Sequence, residues 1–462
     1  MNYRFADTLT ERDVKHHIAH RFDVPMGCQR MRIRLHFAPH LVDDVKNMLT
    51  LTLFDPAGFR GAGHRGGNTH EVTIAPDRAT PGYLAGVLPA GEWVAQIDTH
   101  MILPGAPCRY ELDITLEIDA AALEPELAAP PPPRVDRVVN PKAGWYRGDL
   151  HAHTLHSDAS WDVVDLVAAA RAQGLDFVAL TDHNTISPLT EMAQHTAADL
   201  LTLGGIELTT FWGHAVCLGS SQWIDWRVTQ RSEQMADIAR QVYDRGELFI
   251  IAHPLDLGDP YCTGCRWLYP ALMPGPARFV EIWNGPWGGS TASRKKNEGG
   301  LSLWYDWLNA GHRLVATAGS DVHGPTLYAR QPGFNVVHAN ELSQRGIFDA
   351  LRCGHLYLSA GPQLQLAAHT ASGVTATMGD TLTAVPALDA IIVRATWRDC
   401  PTSTRLRLIV DGHVQQQQSV SGAGEREWTL SPGSVRWCVL EIRADNGDIL
   451  AVTNPIFLTR AA

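Results

Sequence analysis

Between residues 145 and 362 one layout recurs: a helical period, a glycine, a short β-rich apolar run, then a loop opening on a polar residue. DVVDLVAAARAQGLDFVALTDHN shows it first, with the stop signal at Gly174. TQRSEQMADIARQVYDRGELFIIAHP repeats it around Gly246, and SLWYDWLNAGHRLVATAGSD repeats it around Gly311. Few architectures accept that repeat. Helix, stop and buried strand in alternation predict a parallel α/β barrel or a doubly wound sheet.

Both flanks read differently. Upstream, MRIRLHF, MLTLTLFD, HEVTIAP, GEWVAQID and RYELDITLEID alternate in strand fashion, separated by turns such as DPAG and LPAGE. Short strands at this spacing predict an antiparallel, sandwich-like domain over 1–120. AALEPELAAPPPPRVDRVVNPKAG follows, and its PPPP run predicts a stiff, Pro-rich linker over 121–144. After Gly361-Pro362, the runs ALDAIIVRATW, TRLRLIVDG, REWTLSP, RWCVLEIRA and ILAVTNPIFL predict a second all-β domain over 363–462. The expected class is α/β, with a β domain on each side of the unit at 145–362.

Within that unit the strand ends are the informative positions. GWYRGDL runs into His151 and His153, with Asp158 soon after, and DFVALTD runs into His183. LLTLGGIE ends at Glu207, and His214 opens the next apolar run, HAVCLG. ELFIIA runs into His253, and HRLVATAGS runs into Asp321 and His323. Strand C-termini in a parallel barrel open on one face, so these side chains are expected to converge. Any one alone reads as a packed core residue. The set does not, because burying so many ionisable groups without a compensating charge is very costly. All are nitrogen or carboxylate-oxygen donors, which suits zinc, manganese or iron.

HAHTLHSD, LTDHN, GIELTT with a following histidine, IAHP and AGSDVH, in that order, resemble the motifs of the PHP (polymerase and histidinol phosphatase) superfamily. The likeness covers 145–362, and the β flanks with the ending TNPIFL make it most similar to the carbaryl-hydrolase-type (CehA/McbA) branch. The resemblance implies a distorted seven-stranded barrel carrying two or three divalent metal ions. It implies that His151, His153, Glu207 and Asp321 hold the first ion. Glu207 would bridge to a second, also held by His214 and His253, while Asp158, His183 and His323 would hold a third. His156 matches no ligand position and is expected to face solvent or the pocket.

Such a site implies hydrolysis. A water bridging two cations, held by Glu207 and the neighbouring ligands, ionises near neutral pH and serves as a nucleophile without Ser or Cys. Small phosphoesters (mono-, di- or triesters) are the expected substrates, and a third cation would suit phosphate oxygens. The alternative is a carboxyl-ester or carbamate hydrolase of aryl substrates, and a broadly promiscuous hydrolase would satisfy both. A non-catalytic metal-binding scaffold is disfavoured, since structural metal sites are usually closed and often thiolate-rich.

Around the ligands, Asp182 is expected either to orient a histidine or to cap a turn. The segment EIWNGPWGGSTASRKKNEGG, 281–300, reads as a loop over the mouth. Asn284, Lys295 and Lys296 could contact an anionic group there, and Trp283 and Trp287 an aromatic one. The competing reading is a solvated loop with packed tryptophans. DLGDPYCTGCRWLY, after His253, is a second candidate wall.

The net charge of −11, with no basic run beyond Arg294-Lys295-Lys296, argues against long nucleic acid and for a small-molecule partner. MNYRFADTLTERDVKHH has no apolar signal-peptide core, and no run reaches the roughly 18 apolar residues of a membrane span. A cytoplasmic protein without membrane partners is expected, its 8 cysteines free and the pair Cys262 and Cys265 of CTGC structural thiols. Oligomeric state is not legible.

Overall fold

The computed structural model describes residues 1–119, 136–230, 233–384, 390–431 and 435–460. The PPPP run of the expected linker lies outside the described residues. No helix among them is long and apolar enough to cross a membrane.

At the N-terminal end, alternation builds two antiparallel sheets. One orders Asn2–Leu9, Cys108–Ile118, Cys28–Ala38 and Thr69–Ile74; the other orders His17–Val24, Gly91–Met101, Met48–Asp55 and Gly58–Gly63. In Cys28–Ala38 every second residue from Met31 to Phe37 is buried. Those side chains pack with Leu51, Trp93 and Ile97 of the other sheet, the arrangement of a sandwich core.

The centre is mixed α/β. Gly144–Asp149, Phe177–Leu180 and Leu201–Thr210 pair in parallel. Gly213–Leu218 runs antiparallel to Leu201–Thr210 and to Leu248–Ile251. From Leu248–Ile251 through Phe279–Asn284 to Val315–Gly319 the pairing is parallel again. Beyond the first and last of these strands, Ala152 and Val322 form a parallel bridge, so the two ends of the series meet. FVAL and LFII are buried along their whole length, as strands covered on both faces must be. Helices Val163–Ala172, Gln234–Asp244 and Thr291–Asn309 lie between these strands, and the expected stop glycines follow each at positive φ.

One expectation is corrected here. Residues 281–300 are not one loop: Phe279–Asn284 is a buried strand, and a helix starts at Thr291, its first turn capped by the Ser290 hydroxyl. The glycines that mimic a loop have a packing role. A Cβ at Gly300 would sit 3.1 Å from the Ile282 carbonyl oxygen, so glycine lets the helix lie close on that strand.

Downstream, Ile391–Val410 and His413–Leu430 form a long hairpin turning at Asp411-Gly412, both at positive φ. Most of His413–Leu430 is exposed, which is why its polar sequence lacks a strand-like alternation. Leu356–Ser359 pairs with both Phe334–Ala339 and Ile449–Thr453, so the C-terminal strands continue the central sheet. Asn454, in TNPIFL, accepts from the Ala316 N–H at 2.8 Å and donates to the Ala316 carbonyl at 3.0 Å. The C-terminal end thereby braces the strand that leads to Asp321.

Candidate metal centre

Glu207 is fully buried in Leu201–Thr210, with imidazoles around it from four other places in the chain. Its Oε2 lies 3.2 Å from His151 Nε2, 3.3 Å from His153 Nε2 and 2.9 Å from His183 Nδ1. Its Oε1 lies 3.1 Å from His214 Nδ1 and 3.1 Å from His253 Nε2. Asp321 Oδ1 is 3.1 Å from His153 Nε2, and Asp158 Oδ1 is 3.1 Å from His323 Nε2 and 3.5 Å from His183 Nε2. The nine side chains singled out at the strand ends therefore meet in one place. They form three overlapping donor groups: His151, His153, Glu207 and Asp321; His183, Glu207 and His214; and His153, Asp158, His183 and His323. His253 adjoins the second through Glu207.

The backbone is bent to bring them there. His253 and Asp321 stand at φ 27 and 52, in a region costing about 1–3 kcal/mol for residues with a Cβ. Asn184 shares that conformation, and its side-chain amide bonds both ways to the Thr209 backbone, fixing the His183 loop against the Glu207 strand.

Several groups holding the donors carry no motif signal. Glu281 Oε2 lies 2.9 Å from His151 Nδ1, and Asn284 donates to Glu281 Oε1 at 2.5 Å. The Thr209 hydroxyl is 2.5 Å from His183 Nδ1, and the Cys265 carbonyl is 3.2 Å from His253 Nδ1. Buried Asp149 accepts from the His151 N–H, the Ser320 N–H and the Tyr328 hydroxyl, tying the first strand end to the last. Glu281 stands at the head of the segment 281–300 that reads as a loop, so nothing in the sequence marks it as a partner of His151.

Asp182 does not orient a histidine. It accepts from the Thr154 N–H at 2.8 Å, the Thr154 hydroxyl at 2.5 Å and the Ser157 hydroxyl at 2.5 Å, so it shapes the HAHTLHSD turn. His156 is likewise engaged, with Nδ1 2.7 Å from the Ser187 hydroxyl. Cys262 and Cys265 are disulfide-bonded rather than free.

The expected substrate contacts divide. Trp283 and Trp287 face no opening: both are buried, packed edge-to-face at 5.1 Å, and Trp287 Nε1 donates to Glu298. Their apolar area is worth more in the core than at a wet mouth. Lys295 is exposed on the helix. Lys296 reaches the site through Asn284: its Nζ donates to Asn284 Oδ1 at 2.6 Å and Asp256 Oδ2 at 2.9 Å, and Asn284 Nδ2 donates to Asp321 Oδ2 at 3.3 Å.

The electrostatics favour positive charge in the cluster. Burial pushes Glu207 upward, yet His183, His151 and His214 outweigh it and hold the carboxyl well below its usual range. Asp321 and Asp158 are depressed in the same way against their burial, by His151 and His183 respectively. Burial pulls His151 down, but Glu207, Glu281 and Asp321 raise it well above the ordinary imidazole value. His214 goes the other way, lowered by burial in spite of Glu207.

Divalent cations fit these residues. Nε2 of His151 and Nε2 of His153 face each other at 3.0 Å, where two lone pairs converge unless a proton or cation lies between them. Buried His214 Nε2 and His153 Nδ1 have no hydrogen-bond partner, a costly condition for polar atoms out of water. The donors are all nitrogen and oxygen, and the cluster is open on one side. Side-chain exposure is 22% for Asp321, 28% for Asp158 and 35% for His323, against 0% for Glu207. An open margin distinguishes catalytic from closed structural sites.

The N-terminal sheets border that margin. His64 lies with its ring centre 4.5 Å from that of His183 and 5.0 Å from that of His100. No sequence signal marks it, because it lies in the loop that follows Gly58–Gly63, far from the motifs.

The chain matches no family model. Over 67 residues, 14% of its length, it is 39% identical to a 5'-3' exoribonuclease of Haemophilus influenzae, and the match spans 24% of that protein. A two-domain Bacteroides vulgatus protein containing a predicted PHP-like metal-dependent phosphoesterase is similar at 17% identity, covering 68% of this chain and 96% of that one, with a TM-score of 0.38. An amidohydrolase of Chromobacterium violaceum with bound sulfate and no metal is similar at 19% identity, covering 38% and 88%, with a TM-score of 0.28. Likenesses this distant leave the functional reading to the residues.

Proposed function

We propose that the chain is a metal-dependent hydrolase of small phosphoesters. In this reading 145–362 is a distorted seven-stranded barrel of the PHP type, nearest the carbaryl-hydrolase-type branch, between β domains at 1–120 and 363–462. The observation that carries it is a single buried carboxylate, Glu207, within 3.3 Å of imidazole nitrogens of His151, His153, His183, His214 and His253.

His151, His153, Glu207 and Asp321 would hold one ion, Glu207 with His214 and His253 a second, and Asp158, His183 and His323 a third. Zinc, manganese or iron ions in these places would lower the pKa of a coordinated water and neutralise negative charge as the ester is attacked. The chain's own groups do the positioning. Glu281 engages His151 Nδ1 and leaves Nε2 directed at Glu207 and Asp321. The Thr209 hydroxyl and the Cys265 carbonyl fix the rings of His183 and His253. Lys296, held by Asp256 and Asn284, places a cation behind Asp321, where it favours an anionic substrate.

Two observations favour phosphorus over carbonyl carbon. The Asp158, His183 and His323 group is complete, and the tryptophans that would have stacked on an aryl ester are buried in the core. The short match to an exoribonuclease supports the same side, while the net charge of −11 favours small esters over a polymer.

The test is p-nitrophenol release by the metal-loaded chain from bis(p-nitrophenyl) phosphate and from p-nitrophenyl acetate, with Asp321→Ala as the blank. Faster metal-dependent turnover of the phosphate diester is expected. Faster turnover of the acetate would reassign the substrate class, and undiminished activity after metal stripping would remove the mechanism.

A further inference from the structure

His64 comes from the N-terminal end of the chain, in the loop that follows Gly58–Gly63, yet it stands at the open margin of the metal centre. Its ring centre is 4.5 Å from that of His183, and Asp158 and His214 lie close enough to act on it electrostatically. It is only half-buried, while His100 behind it is fully buried and paired through Nε2 with the Thr50 hydroxyl. Among the described residues, neither ring nitrogen of His64 has a hydrogen-bond partner. Being only partly buried at that margin, its ring is free to offer an N–H to a group entering from outside.

The backbone around it is held on both sides to the loops that carry the donors. Arg65 Nη2 donates to the Leu155 carbonyl at 3.4 Å, within the turn that leads to Asp158. The Gly82 N–H donates to the Ser187 hydroxyl at 3.0 Å, and the Thr185 hydroxyl donates to the Gly82 carbonyl at 2.7 Å, just after His183. Gly61 and Gly63 make room for Tyr83, whose Cδ1 and hydroxyl would lie 2.5 and 2.7 Å from a Cβ at those positions. Farther out, Phe59 stacks on Trp223 at 4.6 Å and Lys15 pairs with Asp259 at 2.7 Å. His64 is thus positioned by the fold rather than draped on it.

We propose that His64 is a substrate-contacting residue, donating a ring N–H to an oxygen of the substrate's phosphoryl group at the Asp158, His183 and His323 end of the centre. The N-terminal domain is then a wall of the active site. This rests on the hydrolase reading above, and it adds a contact from outside the unit that carries the metal donors.

The experiment uses the full, metal-loaded chain as wild type, His64→Ala and His64→Gln. Metal content per chain, thermal unfolding, binding of inorganic phosphate by calorimetry, and KM and kcat for bis(p-nitrophenyl) phosphate are measured on each. The expected result is unchanged metal content and Tm, with phosphate binding weakened and KM raised at least tenfold in His64→Ala. Both are restored in part by the amide donor of His64→Gln. Equal phosphate binding in wild type and His64→Ala overturns the assignment. So does phosphate that fails to bind the wild type, or metal lost with the His64 ring, which would make His64 a support of the ligands. A wild type that binds phosphate but hydrolyses no ester would sink the hydrolase reading alone, leaving the contact to be judged by the calorimetry.

Discussion

Glu281 Oε2 sits 2.9 Å from His151 Nδ1, across the ring from the nitrogen that faces Glu207 and Asp321. A carboxylate there fixes the tautomer and ring orientation and makes the ligating nitrogen more basic. Glu281→Gln should therefore keep the fold and lower metal affinity about 10–100-fold. Competition with a chromophoric chelator measures it, and an unchanged affinity would reduce Glu281 to a packing residue.

The same pair explains a glycine. A Cβ at Gly319 would lie 2.3 Å from Glu281 Oε2 and 2.5 Å from His151 Cβ. Gly319→Ala must push one of these groups aside. We expect loss of metal from the Glu207 centre and destabilisation of about 1–3 kcal/mol, as for other overpacked sites. Urea unfolding with metal analysis reads both, and a variant with normal metal content would contradict this account of Gly319.

How much of this the sequence discloses depends on what each residue needs from its neighbours. Most of the metal donors announce themselves by ending an apolar run, and His214 by opening one, so their places along the chain predict their convergence. Glu281 ends no run and lies inside FVEIWN, where its meaning depends on a partner 130 positions away. His64 depends on how the N-terminal sheets dock, which no local pattern encodes. The loop reading fails over 291–300 for a local reason: Gly299 and Gly300 mimic a loop, although they exist so that a helix can lie close on Leu255 and Ile282. Trp283 and Trp287 read as substrate contacts in the sequence because exposure does not follow from residue type, and both are buried.

Trp287 yields a prediction opposite to that sequence reading. Its indole packs against Trp283 and donates to Glu298. Trp287→Phe should destabilise the chain by about 1–2 kcal/mol and leave KM for either p-nitrophenyl ester unchanged. A KM shift of tenfold would return this ring to the substrate wall.

His100 sets an acid limit on stability. Burial is the main cause lowering its pKa to about 3, with His17 nearby adding to the effect. At neutral pH it is unprotonated in both folded and unfolded chains. Below about pH 6.5 the unfolded chain takes up a proton that the folded chain refuses, so stability falls as pH drops from that point toward about 3. Between pH 7 and pH 5 this one group should remove on the order of 2 kcal/mol. Chemical unfolding of wild type and His100→Gln at both pH values checks it. The variant should lose less stability over that interval, and equal slopes would contradict the assignment.

Everything above turns on whether the cluster around Glu207 binds divalent ions at all. The direct measurement is metal content per chain by mass spectrometry, after loading with zinc or manganese and exhaustive dialysis, for wild type and Glu207→Gln. Two or three ions retained by the wild type, and at least one fewer by a folded Glu207→Gln, is the predicted result. A wild type that retains none, or a folded variant that retains as many as the wild type, would contradict it.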